Sequence, residues 1–278
     1  MPLPITDTRH DFRPLSLEVV RLLRLLDPAD WQRPTMAGAW RVHDVAAHLL
    51  DTALRRLSFH RDRMTPPPPE KPINGERDFV AFINELNATW VRAARRLSSR
   101  ALTDLYATAS AELADFFEAQ NLHDPALFPV SWAGESRSEL WFDIGREFTE
   151  VWHHGSQIRE AVGAGPFLEP QWLRLVLEIA LHALPHAYRS VPGRPGASIG
   201  IAITGRSSGT WTLHYRHGAW DIEEGLPPKP VATATMSCEV AWRLFFNALS
   251  PHQARAQVRI EGDAAFALPL LQTRSVIV

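Results

Sequence analysis

The chain has 278 residues, of which 45% are hydrophobic and 22% charged, with one cysteine, twelve histidines and a formal net charge of −2. The apolar fraction and the small net charge exclude a disordered chain, and a single cysteine excludes a disulfide scaffold or a cysteine-rich metal site. The near-neutral charge argues against nucleic acid as a partner. The length favours two domains.

Two features bear on where the protein acts. The start of the chain lacks the basic and apolar segments of a signal peptide. No stretch approaches the ~18 uninterrupted apolar residues of a membrane helix. Together with a single free thiol, Cys238, these features lead us to expect a cytoplasmic protein without a membrane partner.

Apolar residues recur at helical spacing through the first two-thirds of the chain. The pattern predicts helices at about residues 15–26, 42–64, 76–97, 101–120, 138–162 and 169–188. Helix breakers end several of them, most clearly the proline run at residues 66–69 and the glycines at residues 163–165. We therefore expect an N-terminal helical bundle.

The hydrophobic period then changes from 3.6 to 2, which indicates strands. The alternation predicts a hairpin within residues 199–222, a third strand at 231–236, a helix at 239–249, a fourth strand at 257–261 and a last short helix. This order is typical of a small α+β domain with a mostly antiparallel sheet. The predicted fold class is therefore α+β with two domains, residues 1–165 and 166–278.

Three residues in the predicted bundle suit a metal site. Glu150 and His154 lie at i, i+4 and project from one helix face, with Glu147 one turn earlier. His48, in the most apolar part of the second helix, is the best third ligand. Two histidines and one glutamate are the ligand count of a catalytic zinc site. The same residues also suit a surface hydrogen bond and a satisfied core histidine, so their spacing leaves the assignment open.

Other residues admit two interpretations. Asp44 can hydrogen-bond the His48 ring and fix its tautomer, or serve as a carboxylate in the first turn of a helix. His182 and His186, also at i, i+4, fit a half-buried structural pair better than a metal site. Three tryptophans suit either a pocket wall or the core: Trp40, Trp132 and Trp152.

The stretch WRVHDVAAHL (residues 40–49) resembles the W-x-V-x-D-x-x-x-H-L signature of the DinB-like, mycothiol-dependent maleylpyruvate isomerase family. EVWHH (residues 150–154) resembles the E-x-x-x-H of that family. Three later segments are similar to its C-terminal domain, which itself resembles sterol-carrier-type folds: GTWTL (209–213), AWRL (241–244) and VRIEGD (258–263). The resemblance covers most of the chain in the right order.

The resemblance implies a DinB-like four-helix core that holds a divalent metal through His48, Glu150 and His154. The metal it implies is zinc, with nickel, iron and manganese as alternatives, and the cosubstrate is a low-molecular-weight thiol such as mycothiol. One position departs from the family pattern. An aspartate commonly follows the second histidine by three positions, and this chain has Gln157 there. That difference puts the isomerase reaction itself in doubt.

We therefore expect a metal-dependent enzyme that uses an imported thiol for isomerisation or S-transfer on a small electrophilic substrate. The thiol must be imported because Cys238 is remote in sequence from the ligands. Arginine side chains would bind anionic groups of the substrate, with Arg146, Arg216 and Arg243 as candidates and structural ion pairs as their alternative role. Competing hypotheses are a non-enzymatic metal-binding regulator, a carrier of small apolar ligands, and a bundle without metal. We expect a monomer or a homodimer.

Overall fold

The computed structural model describes residues 3–276. It divides into two compact units. The helical unit comprises residues 7–127 and 147–167, and the sheet unit comprises residues 128–146 and 168–276 together with residues 3–6. The predicted α+β class, helical first and mostly antiparallel sheet second, is confirmed. The division of the chain near residue 165 stays a prediction.

The helical unit is built from five helices: α1 (Arg9–Leu25), α2 (Val42–Arg56), α3 (Glu76–Ala94), α4 (Ser99–Glu118) and the larger part of α5 (Leu140–Ala161). Helix α1 begins earlier than predicted and contains Pro14 in its interior, a position that normally disfavours helix. The added turns bury Phe12, whose ring packs edge-on against Phe117 with centroids 5.2 Å apart. This packing offsets the unfavourable proline.

Helix α2 positions His48. Its apolar face, including Val45, Ala46 and Leu49, is almost completely buried, and His48 lies within the same buried stretch. The regular α-helix ends at Arg56 and continues as a π-helical turn, Leu57–Arg61, whereas the sequence predicts one helix up to residue 64. A wide turn of this kind preserves the direction of the chain while changing the hydrogen-bond pattern, so hydrophobic periodicity does not reveal it.

The sheet unit contains a five-stranded sheet and short helices. The elements are α6 (Pro170–Leu181), α7 (Ala183–Ala187), β1 (Ser198–Thr204), β2 (Gly209–Arg216), β3 (Ala219–Glu224), β4 (Ala232–Ser237), α8 (Cys238–Phe245), α9 (Pro251–Arg255), β5 (Arg259–Gly262) and α10 (Ala264–Ala267). The strand order is β3-β2-β1-β4-β5. The β1–β4 pair is parallel and the other pairs are antiparallel. The loop at residues 225–231 therefore carries the chain from β3 past β2 and β1 to the other side of β1, where β4 begins.

Two predicted elements of this unit were wrong in detail. The structure has five strands rather than four, because His217 and Gly218 form a two-residue turn between β2 and β3. Both residues have positive φ, 52° and 84°, as the tight turns of hairpins require. The single helix predicted at residues 169–188 is broken at His182. Pro185 has no N–H to donate to the carbonyl of Leu181, so the α-helical ladder cannot continue.

The interior of the sheet unit is apolar along β1 and β2. Ile201, Trp211 and Leu213 are each at most 1% exposed, and Thr212 between the last two is also buried. Within residues 3–276, no helix combines the length and the hydropathy needed to cross a bilayer.

Candidate metal centre

The helical unit brings the three predicted ligands together. His48 comes from the middle of α2, and Glu150 and His154 come from one face of α5. One donor atom from each residue lies within 4.8 Å of the other two. In the part of the chain that the structure describes, this is the one group of three or more histidine, cysteine or acidic side chains that converges in this way. We refer to it as the His48 cluster.

The distances within the His48 cluster suit a single cation. Glu150 Oε2 lies 3.2 Å from His154 Nε2 and 3.9 Å from His48 Nε2. The two imidazole rings are nearly perpendicular, at 83°, with centroids 4.7 Å apart. Ligands that bind zinc tetrahedrally at about 2.0–2.2 Å lie about 3.3 Å from one another. Small side-chain movements would therefore bring all three donors onto one ion.

The protonation states also suit a metal, which requires neutral imidazoles and an ionised carboxylate. Burial lowers the pKa of His48 to about 4, so this ring is neutral at pH 7. Burial alone would raise the pKa of Glu150, but the neighbouring side chains of His154 and His48 hold it well below its ordinary value. The cluster therefore presents the negative charge of Glu150 beside the neutral ring of His48.

The second nitrogen of His154 is held by Gln157. His154 Nδ1 lies 2.8 Å from Gln157 Oε1, and Gln157 Nε2 lies 2.9 Å from His153 Nε2. All three side chains are buried on α5. In the sequence, Gln157 is notable only as a departure from the family pattern. Nothing there predicts a role for His153, which simply precedes His154. Their link to the ligand is visible only in the structure.

Asp44 does not hydrogen-bond the His48 ring, so this interpretation was wrong. The Asp44 carboxylate accepts from both Arg95 Nε and Nη2, at 3.0 and 3.1 Å, and from the backbone N–H of Arg41 at 3.2 Å. It thus stabilises the start of α2. Among the described residues, His48 Nδ1 is buried without a hydrogen-bond partner, and the ring packs against Trp40 with centroids 5.1 Å apart.

Glu147 pairs with an arginine side chain and is not part of the His48 cluster. Arg56, which is 4% exposed, donates from Nη2 to Glu147 Oε1 at 2.7 Å. The pair links α2 and α5 one helical turn before Glu150. An ion pair this deeply buried requires a close partner for each charge, and sequence periodicity does not identify which arginine supplies it.

The three candidate arginines all belong to the sheet unit. Arg146 pairs with the buried Asp143, and Arg216 pairs with Glu223 on the exposed hairpin. The guanidinium of Arg243 lies 4.4 Å from the centre of the Trp242 ring. Each arginine therefore has a structural contact within its own unit, and substrate binding by any of them stays a prediction.

Other predicted residues have packing roles. His182 packs against Trp141 and Phe142, with centroids 5.3 and 5.0 Å apart, and burial lowers its pKa to about 4. Trp152 is fully buried in the helical unit and donates from its indole to the Phe167 carbonyl at 3.0 Å. Trp132 packs edge-on against Phe142 in the sheet unit. Trp40, by contrast, packs against His48 of the cluster.

Comparison with known families supports the resemblance found in the sequence. Residues 12–159 match the family model of the mycothiol maleylpyruvate isomerase N-terminal domain, which is more than half of the chain. The chain belongs to this family. The matched segment contains all three residues of the His48 cluster. No curated protein matches the chain significantly.

Solved structures show the same fold over nearly the whole chain. A crystal structure of the mycothiol-dependent maleylpyruvate isomerase is 15% identical, with a TM-score of 0.52 over 87% of this chain and 88% of that one. A histidine-to-alanine mutant of such an enzyme is also 15% identical, with a TM-score of 0.54 over 93% of both chains. Sterol Carrier Protein 2 Like 2 from Aedes aegypti matches 36% of this chain at 16% identity, covers 97% of its own length and has a TM-score of 0.30.

Proposed function

We propose that the protein is a divalent-metal-dependent enzyme that uses a low-molecular-weight thiol, similar to mycothiol, to isomerise a small electrophilic substrate. The observation that carries this proposal is the convergence of His48, Glu150 and His154 in a family whose solved relatives are described as mycothiol-dependent maleylpyruvate isomerases. The metal we propose is zinc, because two imidazoles and one carboxylate form an open catalytic set for that ion.

The residues of the cluster have separate tasks in this proposal. His48 and His154 bind through nitrogen lone pairs, and Glu150 supplies the charge that offsets a dication. A bound zinc ion would act as a Lewis acid that favours the thiolate form of a thiol beside it. Trp40 packs against His48 and restricts the orientation of its ring. Because Glu147 is engaged by Arg56, the coordination set keeps room for an exogenous ligand.

The thiol in this proposal comes from a small molecule. Cys238, the only cysteine, is buried at the first position of α8 in the sheet unit. Addition of an external thiolate to an activated double bond, rotation about the resulting single bond, and elimination would return the thiol unchanged. We also propose that the protein acts in the cytoplasm, where a single free thiol remains reduced. Its partners are then small molecules, whether the chain is a monomer or a homodimer.

Metal analysis is the first test. We expect the untreated wild-type protein to contain about one equivalent of zinc, and His48→Ala and Glu150→Ala each to lose it. Arg216→Ala, on the exposed hairpin of the sheet unit, is the control and should retain the metal. Retention of metal by either cluster variant would overturn the assignment of the site.

Thiol-dependent turnover is the second test. We expect the zinc-loaded protein to isomerise maleylpyruvate only when mycothiol is present, and Glu150→Ala to be inactive. Accumulation of a thiol adduct without isomerisation would instead identify an S-transferase. Metal binding without any thiol reaction would favour the metal-dependent regulator, and retention of an apolar ligand by the Glu150→Ala variant would favour the carrier.

A further inference from the structure

Three buried side chains on α5 form a continuous hydrogen-bonded chain behind the His48 cluster. His153, Gln157 and His154 are 8%, 7% and 9% exposed. The contacts run from His153 Nε2 to Gln157 Nε2 at 2.9 Å, and from Gln157 Oε1 to His154 Nδ1 at 2.8 Å. The opposite nitrogen of His154, Nε2, lies 3.2 Å from Glu150 Oε2. This series of contacts therefore ends at the side of the cluster where Glu150 lies.

The chemistry of an amide assigns a proton to each ring. The oxygen of Gln157 can only accept, so the Nδ1 atom of His154 must carry the hydrogen between them. In the neutral form of the ring, the lone pair is then on Nε2, the atom that faces Glu150. The NH₂ group of Gln157 can only donate, so Nε2 of His153 must accept and the proton of that ring lies on Nδ1. One amide thus determines the tautomer of two histidines.

The hydrogen bond to Gln157 holds the resulting arrangement, and a cation would stabilise it further. A lone pair on His154 Nε2 and a carboxylate oxygen 3.2 Å away repel each other, unless a positive ion is shared between them. The reversed amide orientation would place the hydrogen of His154 on Nε2, where it would donate to Glu150 and occupy the ligand position. The orientation of Gln157 therefore distinguishes a site prepared for metal from a closed ion pair.

We propose that Gln157 is a positioning residue for the metal site: it holds His154 as the Nδ1–H tautomer with Nε2 directed at Glu150, and His153 fixes the orientation of the Gln157 amide. The inference rests on the proposed metal-dependent function. It follows that a neutral amide, rather than a carboxylate, supports the ligand. A carboxylate would make the imidazole more basic, so the amide leaves a bound ion more electrophilic.

Nitrogen-15 NMR of the metal-free protein tests the tautomers directly. Histidine-labelled wild-type protein is compared with His153→Gln and His154→Gln, which assign the two signals by their loss. We expect both rings to be protonated at Nδ1 and unprotonated at Nε2. In Gln157→Leu, the single tautomer of His154 should be replaced by the Nε2–H form, which can donate to Glu150. Protonation of His154 at Nε2 in the wild type would overturn the inference.

Zinc affinity, measured by competition with a chelator, tests the consequence. Gln157→Leu should weaken Zn²⁺ binding by about 10–100-fold, the usual effect of losing a hydrogen bond to a histidine ligand. Gln157→Glu, which still accepts from Nδ1–H, should bind Zn²⁺ at least as tightly as the wild type. Gln120→Leu is a matched control, because it removes an amide that only donates to the Phe116 carbonyl in α4.

The outcomes separate the two proposals. If the wild type does not bind Zn²⁺, the proposed function fails, whatever the tautomers are. If the wild type binds Zn²⁺ and Gln157→Leu binds it equally well, the function stands and the role of Gln157 fails. Because Gln157→Glu retains a side chain of the same size, its affinity remains informative even if Gln157→Leu folds poorly.

Discussion

The two units of the molecule differ in what they bury. Among the described residues of the helical unit, the buried histidine, acidic and basic residues are Asp44, His48, Asp51, Arg56, Glu147, His153 and His154. Among the described residues of the sheet unit, Asp143 is the one buried histidine, acidic or basic residue, and it is paired with Arg146. Burying charge is costly unless each group is paired or binds an ion. The helical unit therefore depends on partners for its buried charged groups, whereas the interior of the sheet unit is mainly apolar.

The contrast can be tested by disrupting the buried ion pair of Arg56 and Glu147, which should lower the free energy of unfolding more than the other changes considered below. Arg56→Met removes the guanidinium that lies 2.7 Å from Glu147 in the interior, so we expect a loss of about 3–5 kcal/mol in the free energy of unfolding. The double variant Arg56→Met/Glu147→Leu should recover most of that loss. Urea denaturation measures both. Arg13→Met, in an exposed ion pair with Asp115, is the control and should change little. A small loss in Arg56→Met would show that water reaches the pair.

In the sheet unit, removal of a buried apolar side chain should lower the free energy of unfolding. Leu213 is fully buried on β2, so Leu213→Ala should cost about 2–5 kcal/mol through lost burial and the cavity that remains. Leu226→Ala removes the same atoms from a residue that is 51% exposed and should change stability by about 0.5 kcal/mol or less. Equal costs in the two variants, measured by urea denaturation, would contradict the assignment of Leu213 to the core.

Adding metal should stabilise the protein through the helical unit alone. At a free Zn²⁺ concentration about one hundred times the Kd, the free energy of unfolding should rise by about 2.7 kcal/mol. His154→Ala should lose this increase, whereas His123→Ala, at an exposed loop position, should keep it. Thermal unfolding with and without a chelator measures the difference. An increase that survives in His154→Ala would place the metal elsewhere.

The smallest expected effect concerns Asp44 at the start of α2. Burial would raise the pKa of Asp44, but the hydrogen bonds from Arg95 and Arg41 dominate and hold it below the ordinary value of 3.8. The folded protein therefore gains stability from ionised Asp44 at neutral pH, and loses it as the pH falls from about 4 through the folded-state pKa.

Asp44→Asn tests this contribution by removing the charge. We expect a loss of about 1 kcal/mol or less at pH 7, and a shallower decline of stability below about pH 4. Asp115→Asn, an exposed carboxylate on α4, is the control. A decline as steep in Asp44→Asn as in the wild type would show that other carboxylates account for the acid sensitivity.

The sequence predicted the fold class because it depends on local periodicity, whereas the ligand set His48, Glu150 and His154 was implied by the family resemblance and left open by spacing. Spacing alone places Glu150 and His154 on one face of α5, and the change of period separates helices from strands. Two prolines account for two of the errors in helix bounds. Pro14 lies inside a helix because Phe12 packs against Phe117, and the role of Pro185 as a helix breaker is masked by the apolar pattern around it.

What the sequence by itself determined is which residues share a face of one element. Which faces meet, and which of several possible partners a polar group takes, was decided only by the tertiary structure. Asp44 pairs with Arg95 rather than with the His48 ring, and Gln157 connects His153 to His154. The physical reason is that periodicity specifies directions around one helix axis. Hydrogen bonds and metal sites require distances of about 3 Å between atoms, which only the packing of side chains can set.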